Sequence, residues 1–518
     1  MALDWLGGGK VDHPMADPER AREIVAELPA GDAAKALAEI TEWLDSLNHT
    51  DGFKLDRRFE NTDLLDGAAR NHQRKLAQEY LAMPRQQKFQ ENRLWTGVFG
   101  FWKQLGDAYI RCVNEHESGA SGATAIRKSL PVILARAMRA LAVQLKLDLL
   151  RYGPVDPRIW SELARFYRFA EQKGYVDGVI AMYPGAHGES TIKREFLKGL
   201  MLSASSTDGL LPLRQDLAEH VVAHFSPSFR LSNQPDGCTH CFDLATAKPP
   251  VRLFKGAAPT ATMRFFGAGE ALARLNQLIG HVTARGALPQ DVSLGGNYEK
   301  EFVLWVLGHM AQVWSDKPPA RGSERRPVTG RITVVPGMNE ILGALEPRTS
   351  NDTLDFSSEQ DRNVESWIVE NMSDGGYGAI IPPKKSDWVK VGALIGVQGE
   401  AAKYWGVGLV RRIAQDAQQQ RRVGIQLLSK TAIPVKVSKA ESSLSFVANR
   451  EPQLAILLST APDQQGEIGM VMREGHFNGR DSLEMMVKDK SYLLMPSKMV
   501  EDGEDFDWAK FKVMQRSA

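Results

Sequence analysis

From residue 17 to about 150, apolar side chains recur at i, i+3, i+4 and i+7, the period of helices with one buried face. "DPERAREIVAEL", "GDAAKALAEITEWLDSL", "DLLDGAARNHQRKLAQEYLAM" and "NRLWTGVFGFWKQLGDAYIRCVNEH" each carry it. Asp17 followed by Pro18, and Asp32, mark helix starts: each offers a side-chain acceptor at the cap, and the first turn tolerates proline. "HESGASGAT" at 116–124 breaks the run, and helical periodicity then continues through 157–225.

Near residue 231 the pattern changes. "GCTHCFDLATAKPPVRLF" and "TATMRFFG" read as strands around prolines, while "GEALARLNQLIGHVTARG" and "YEKEFVLWVLGHMAQVWS" read as helices. "SDKPPARGSERRP" interrupts the chain with prolines and charges, and marks a boundary. Beyond Arg331, "RITVVPG", "VESWIVENMS", "GAIIPP", "ALIGVQGE", "WGVGLVRRI" and "RVGIQLLS" are short Val/Ile-rich segments between turn residues, as in a small antiparallel barrel. A second set follows: "SLSFVANR", "LAILLST", "EIGMVMRE", "SLEMMVKD" and "SYLLMPSKMV", closed by "DFDWAKFKVM". The expected fold class is α+β multidomain, with an all-helical N-terminal half, a mixed middle segment and C-terminal antiparallel barrels. The expected domains are a helical bundle at 1–150, helical hairpins at 151–230, a mixed α/β segment at 231–320, a β-barrel at 321–435 and a second small β-rich domain at 436–518.

Length agrees with this division, since 518 residues exceed what one core organises. A net charge of +1 gives no bulk field toward a nucleic-acid polymer or an anionic membrane, so any anion site must be a local cluster. "MALDWLGGGKVDHP" lacks the pattern of a secretory signal, and no stretch reaches the roughly 20 apolar residues of a membrane span. The nearest, "LPVILARAMRALAVQLKLDLL", is broken by Arg136, Arg139 and Lys146 and is expected to be an amphipathic helix. Three cysteines make no disulfide framework, and a cytoplasmic location is expected.

Enzyme templates are missing: there is no phosphate loop ending in Gly-Lys-Ser/Thr, no His-Glu-x-x-His helix and no Gly-x-Ser-x-Gly elbow. No catalysis and no cofactor are expected. His220 and His224 share a helix face, and Cys238 and Cys241 follow, a set that could close a zinc shell. Chance spacing and core burial account for them equally well, so no metal is expected.

The best candidate chemistry lies further on. "RGSERRPVTGR" supplies Arg321, Arg325, Arg326 and Arg331 just before the first barrel strand. Guanidinium groups bind phosphate with two parallel hydrogen bonds, pair with the guanine edge and stack on flat rings. In "NMSDGGYG", Asn371 and Ser373 are short polar side chains at a strand end, and Gly376 lets backbone approach a ligand. Together they suit something planar and anionic.

These stretches, followed by "GVGLVRR…RRVGIQLLS", resemble the PilZ domain, the bacterial receptor barrel for cyclic-di-GMP. The family pattern is Arg-x-x-x-Arg on the leading segment, then Asp/Asn-x-Ser-x-x-Gly. Asn371, Ser373 and Gly376 match the second motif in full; Arg321 and Arg325 match the first, and Arg326 and Arg331 stand one residue too far apart. Trp405, Arg411 and "VGIQLL" resemble the closing strands, and "NEILGALEPRTSNDTLDFSSEQDRN" is an apparent insertion. The resemblance covers about 321–430 and implies a ligand site of Arg321, Arg325, Arg326, Arg331, Asn371, Ser373 and Gly376, with an enlarged turn facing the dinucleotide. Separately, "WSELARFYRFAEQKG" places Trp160, Leu163, Ala164 and Tyr167 much as the first helix of a tetratricopeptide repeat does, without a second copy at the repeat period.

The expected function is therefore a cytoplasmic bacterial signalling effector that binds cyclic-di-GMP and relays it to a protein partner through the helical half. An interaction scaffold with a non-binding barrel is the alternative. An enzyme with an unrecognised site in 231–320 is a third reading.

Overall fold

The structure is a computed structural model that describes residues 11–84, 87–183, 188–254, 258–317, 324–345, 363–382, 388–440, 452–487 and 490–515. It divides into two compact units, Met1–Thr207 with Pro212–Pro319, and Asp208–Leu211 with Ala320–Ala518.

The first unit begins with helices α1 (Pro18–Ala26), α2 (Ala33–His49), α3 (Leu55–Ala82), α4 (Lys88–Glu117), α5 (Leu130–Leu150) and α6 (Pro157–Lys173). The Asp17 carboxylate accepts from the backbone amides of Glu19 and Arg20, and that of Asp32 from Ala34 and Lys35. Both caps thus satisfy amides that the helix itself leaves unpaired. Strands β1 (Ile180–Ala181) and β2 (Glu189–Ser190) pair antiparallel, and helices α7 (Ile192–Ser203) and α8 (Pro212–Phe225) follow. Next come β3 (Arg230–Ser232), β4 (His240–Asp243), β5 (Val251–Arg252) and β6 (Met263–Gly267), in the sheet order β3-β6-β4-β5. Helices α9 (Ala271–Arg285) and α10 (Lys300–Trp314) close the unit. Phe242 on β4 packs against Trp160 and Phe196, so this sheet shares the helices' core. Trp160, Leu163, Ala164 and Tyr167 are buried on α6, but a β-hairpin follows that helix where a tetratricopeptide repeat would place a second helix.

Helix α5 departs from the expected amphipathic design. It is buried nearly all round, and its three cations are matched to carboxylates on neighbouring helices. Arg136, 6% exposed, pairs with Asp63 on α3 and donates to the Tyr109 hydroxyl and the Met182 carbonyl. Arg139 pairs with Glu195 on α7 at 3.1 Å. Lys146 lies 2.6 Å from Asp216 and 2.8 Å from Glu219, both on α8. Burial alone would raise the Glu195 carboxyl, but Lys198 and Arg139 outweigh it and hold the group at about 2. Among the described residues, no helix is long and apolar enough to cross a membrane.

The second unit holds two closed six-stranded barrels. The first comprises β7 (Arg326–Pro336), helix α11 (Gly337–Leu345), β8 (Glu365–Ser373), β9 (Gly376–Ile381), β10 (Leu394–Gly399), β11 (Gly406–Gln415) and β12 (Arg421–Ser429). The second comprises β13 (Ile433–Lys439), β14 (Gln453–Leu457), β15 (Glu467–Arg473), β16 (Leu483–Val487), β17 (Lys490–Asp502) and β18 (Phe506–Gln515). When strands are numbered from one to six within each barrel, both rings close in the same order, 1-2-3-6-5-4, with every pairing antiparallel. The expected strand "SLSFVANR" lies outside the described residues; "IPVKVSK" supplies the second barrel's first strand. Helix α11, formed by the start of the apparent insertion, packs Met338, Ile341 and Leu342 into an apolar cluster with Val335, Leu394 and Leu409 of the first barrel and Ile456, Val471 and Phe506 of the second.

Replacing Lys146 by Met should leave Asp216 and Glu219 side by side without their cation. The expected cost is about 3–5 kcal/mol in the helical unit, read as an earlier loss of helical circular dichroism in urea.

Candidate ligand-binding site

Strands β8 and β9 form a hairpin in which Ser373 pairs with Gly376, so only Asp374 and Gly375 make the turn. The enlarged turn expected from the sequence is absent. Asn371 and Ser373 belong to β8, and Gly376 and Gly378 to β9. The glycines are required by contact. A Cβ on Gly376 would stand 1.9 Å from the Ile425 carbonyl oxygen of β12, and no neighbour of that kind can yield. At Gly378 a Cβ would meet Asn371 side-chain atoms at 2.7–3.0 Å, so the Asn371 amide lies across this bare backbone.

A row of residues continues around the barrel wall. Asn371 pairs with Gly378, Gly378 with Gly424 on β12, and Gly424 with Arg412 on β11. The Val423 and Ile425 side chains flanking Gly424 are buried in the core, so this row faces outward. A Cβ on Gly424 would stand 3.5 Å from the Arg412 Cβ, which places both on the same face. The result is a shelf floored by Gly424, with the Asn371 amide over Gly378 at one end and the Arg412 guanidinium at the other. In the next row, Gln426 pairs with Gly376 and accepts from Arg411 Nε at 2.7 Å. Arg411 is the extra residue of a β-bulge between Val410 and Arg412, which turns two consecutive arginines toward this face. The Asn371 Oδ1 is buried and accepts no hydrogen bond, a cost of about 1–3 kcal/mol unless a donor is supplied.

The candidate arginines are placed differently. Arg321 lies outside the described residues, and Arg325 immediately precedes β7. Arg326 pairs with Met372 while Pro327 pairs with Asn371, so strand alternation turns Arg326 away from the face of Asn371. Arg331 is exposed, pairs with Ile368 and reaches Ser366 Oγ at 3.4 Å. Ile368 pairs with Ile380 and Ile380 with Arg422, which gives a second outward row beside the shelf. Arg422 is held by Glu370 at 3.3 Å and Asp416 at 3.5 Å.

The zinc candidates do not converge. Among the described residues, the group within reach of one ion is Asp216, Glu219 and His220, and Lys146 already pairs with both of its carboxylates. Burial raises the Cys238 and Cys241 thiols, while His240 is stacked on Phe266 and held at about 4 by burial and by Arg252.

Residues 19–236 match the N-terminal domain of the cyclic-di-GMP receptor FimW, and residues 344–434 match its middle PilZ domain. No curated protein matches the chain. The two matches run in order and together span more than half of the 518 residues, and the chain belongs to this receptor family. Asn371, Ser373 and Gly376 fall inside the PilZ match, whereas β7 and the arginines ahead of it fall outside. Gly378, Gly424, Gln426 and Arg412 carry no signal of their own in the sequence. Their alternation in "GYG" and "VGIQ" becomes a signal only once β9 is paired with β12.

Gly376→Ala should destabilise the first barrel by more than about 3 kcal/mol, because backbone must move. In Gly378→Ala the conflict is with a side chain, so the barrel should melt within a few degrees of the parent while the Asn371 side-chain amide resonances shift. Calorimetry and nuclear magnetic resonance of the two variants check this.

Proposed function

We propose that this chain is a cytosolic receptor that binds cyclic-di-GMP on the outer face of its first barrel and passes occupancy to a protein partner through the helical unit. It acts by binding rather than by catalysis. The observation that carries the proposal is the buried, unpaired Asn371 Oδ1 lying over Gly378 at the family's motif position. Guanine offers N–H donors along one edge, and a donor there would satisfy this acceptor. The bare backbone of Gly424, beside the Asn371 amide that covers Gly378, lets a flat base lie against it, and Ser373 adds a hydroxyl at its border.

The phosphates fall to guanidinium groups. Arg321 and Arg325 have the family spacing, and continued alternation by one residue beyond Arg326 brings Arg325 to the face of Ser373. Arg331 stands in the adjacent outward row, and Arg326 has the least favourable direction of the set. Engaging these arginines can shift the chain between two states only to the extent that the ligand prefers one of them.

Calorimetric titration of the full chain with cyclic-di-GMP, with GMP and ATP as controls, tests the proposal. Each charge-assisted hydrogen bond contributes about 1.5–3 kcal/mol, so Arg325→Ala should weaken binding roughly tenfold or more. Ser373→Ala and Arg326→Ala should each cost less. Raising salt should weaken binding without abolishing it, because base stacking is not screened as phosphate contacts are. A titration of the parent chain without heat, together with no protection of 317–331 from protease, would overturn the proposal in favour of the scaffold.

A further inference from the structure

Arg411 joins the two barrels. Its Nη1 and Nη2 each lie 2.7 Å from an oxygen of Glu501 on β17 of the second barrel, while its Nε is committed to Gln426 on the first. This two-pronged geometry is the one that guanidinium also offers a phosphate. Gln426 is the strand partner of Gly376, so the guanidinium stands one side chain from the motif glycine, on the face that Arg412 and Gly424 share. Both ends of the ion pair keep partial access to water, with side chains 33% and 28% exposed. A rival anion can therefore reach Arg411 without first opening a core.

We propose that Arg411 exchanges partners when the first barrel is occupied, leaving the Glu501 carboxylate of the second barrel for a phosphate of the bound cyclic dinucleotide. The proposal rests on the cyclic-di-GMP reading and adds its regulation: occupancy removes one ionic link between the barrels and leaves the Lys390–Glu504 pair, the Met338 amide on Asp505 and the apolar cluster around α11 as their joint. Charge balance favours the exchange. The guanidinium keeps an anionic partner throughout, and Glu501, at the protein surface, is released to water. Linkage fixes the sign of the consequence, because two anions that compete for one cation weaken each other's binding reciprocally. Removing the charge of Glu501 must then strengthen ligand binding.

The test uses the full chain. Cyclic-di-GMP is titrated calorimetrically into the parent, Glu501→Gln and Arg411→Ala proteins, and amide hydrogen exchange of β17 is followed in the parent with and without ligand. Glu501→Gln should bind roughly fivefold tighter and Arg411→Ala roughly tenfold weaker than the parent. Exchange around 498–502 should rise in the parent when ligand is added. If the parent binds but its β17 exchange does not rise, the partner exchange is wrong and the receptor reading stands; this arm decides even if a variant fails to fold. A parent-like affinity in folded Glu501→Gln overturns the proposal equally. If the parent does not bind at all, both readings fall.

Discussion

The approach of β9 to β12 at Gly376 is the constraint on which the candidate site depends. There the Ile425 carbonyl oxygen occupies the space that any side chain would need, so the sheet can close only over bare backbone. Closure at this point sets the register that places Gly378 beside Gly424 and Gln426 beside Gly376. The shelf, the orphan acceptor on Asn371 and the outward arginines of β11 all follow from that register. In a closed ring a slip of one residue would turn this whole face inward, so the glycine secures a surface as well as a turn.

Much of the β half is legible in the sequence because its strands are short, branched and set off by turn residues. "VESWIVENMS", "ALIGVQGE" and "WGVGLVRRI" fall on β8, β10 and β11. The motif residues Asn371, Ser373 and Gly376 stand out because their spacing matches the Asp/Asn-x-Ser-x-x-Gly pattern in full. The turn is misread for a physical reason: polar side chains and glycines usually signal a loop, yet here they sit within paired strands, where one face is solvent and the floor must be flat. Arg412 and Gly424 are illegible for a different reason. Their meaning arises from contact between strands and from a bulge that no local pattern announces. The direction of Arg326 likewise needs the pairing with Met372 before it can be assigned.

The helical unit repeats this lesson with charge. Arg136, Arg139 and Lys146 rule out a membrane span, and a single helix period suggests that they form a wet face. Instead each meets a carboxylate from α3, α7 or α8, so a helix buried nearly all round retains three cations. Breaking such pairs is costly because the abandoned partner stays where water cannot fully reach it. The pairs also make α5 specific about its neighbours, since an apolar surface alone would accept several rotations.

The shared ring order of the two barrels has a mechanical consequence. A closed ring leaves no edge strand, so neither barrel can extend its sheet into the other. Among the described residues, no strand of one barrel pairs with a strand of the other. Their joint is made of side chains, one short helix and the Met338 amide resting on Asp505. Adjusting such a joint leaves every backbone ladder intact, so each barrel can keep its shape while the angle between them changes. The second barrel is thus suited to serve as a rigid lever: a small displacement at the joint grows with distance along it, and the surface farthest from the joint moves most.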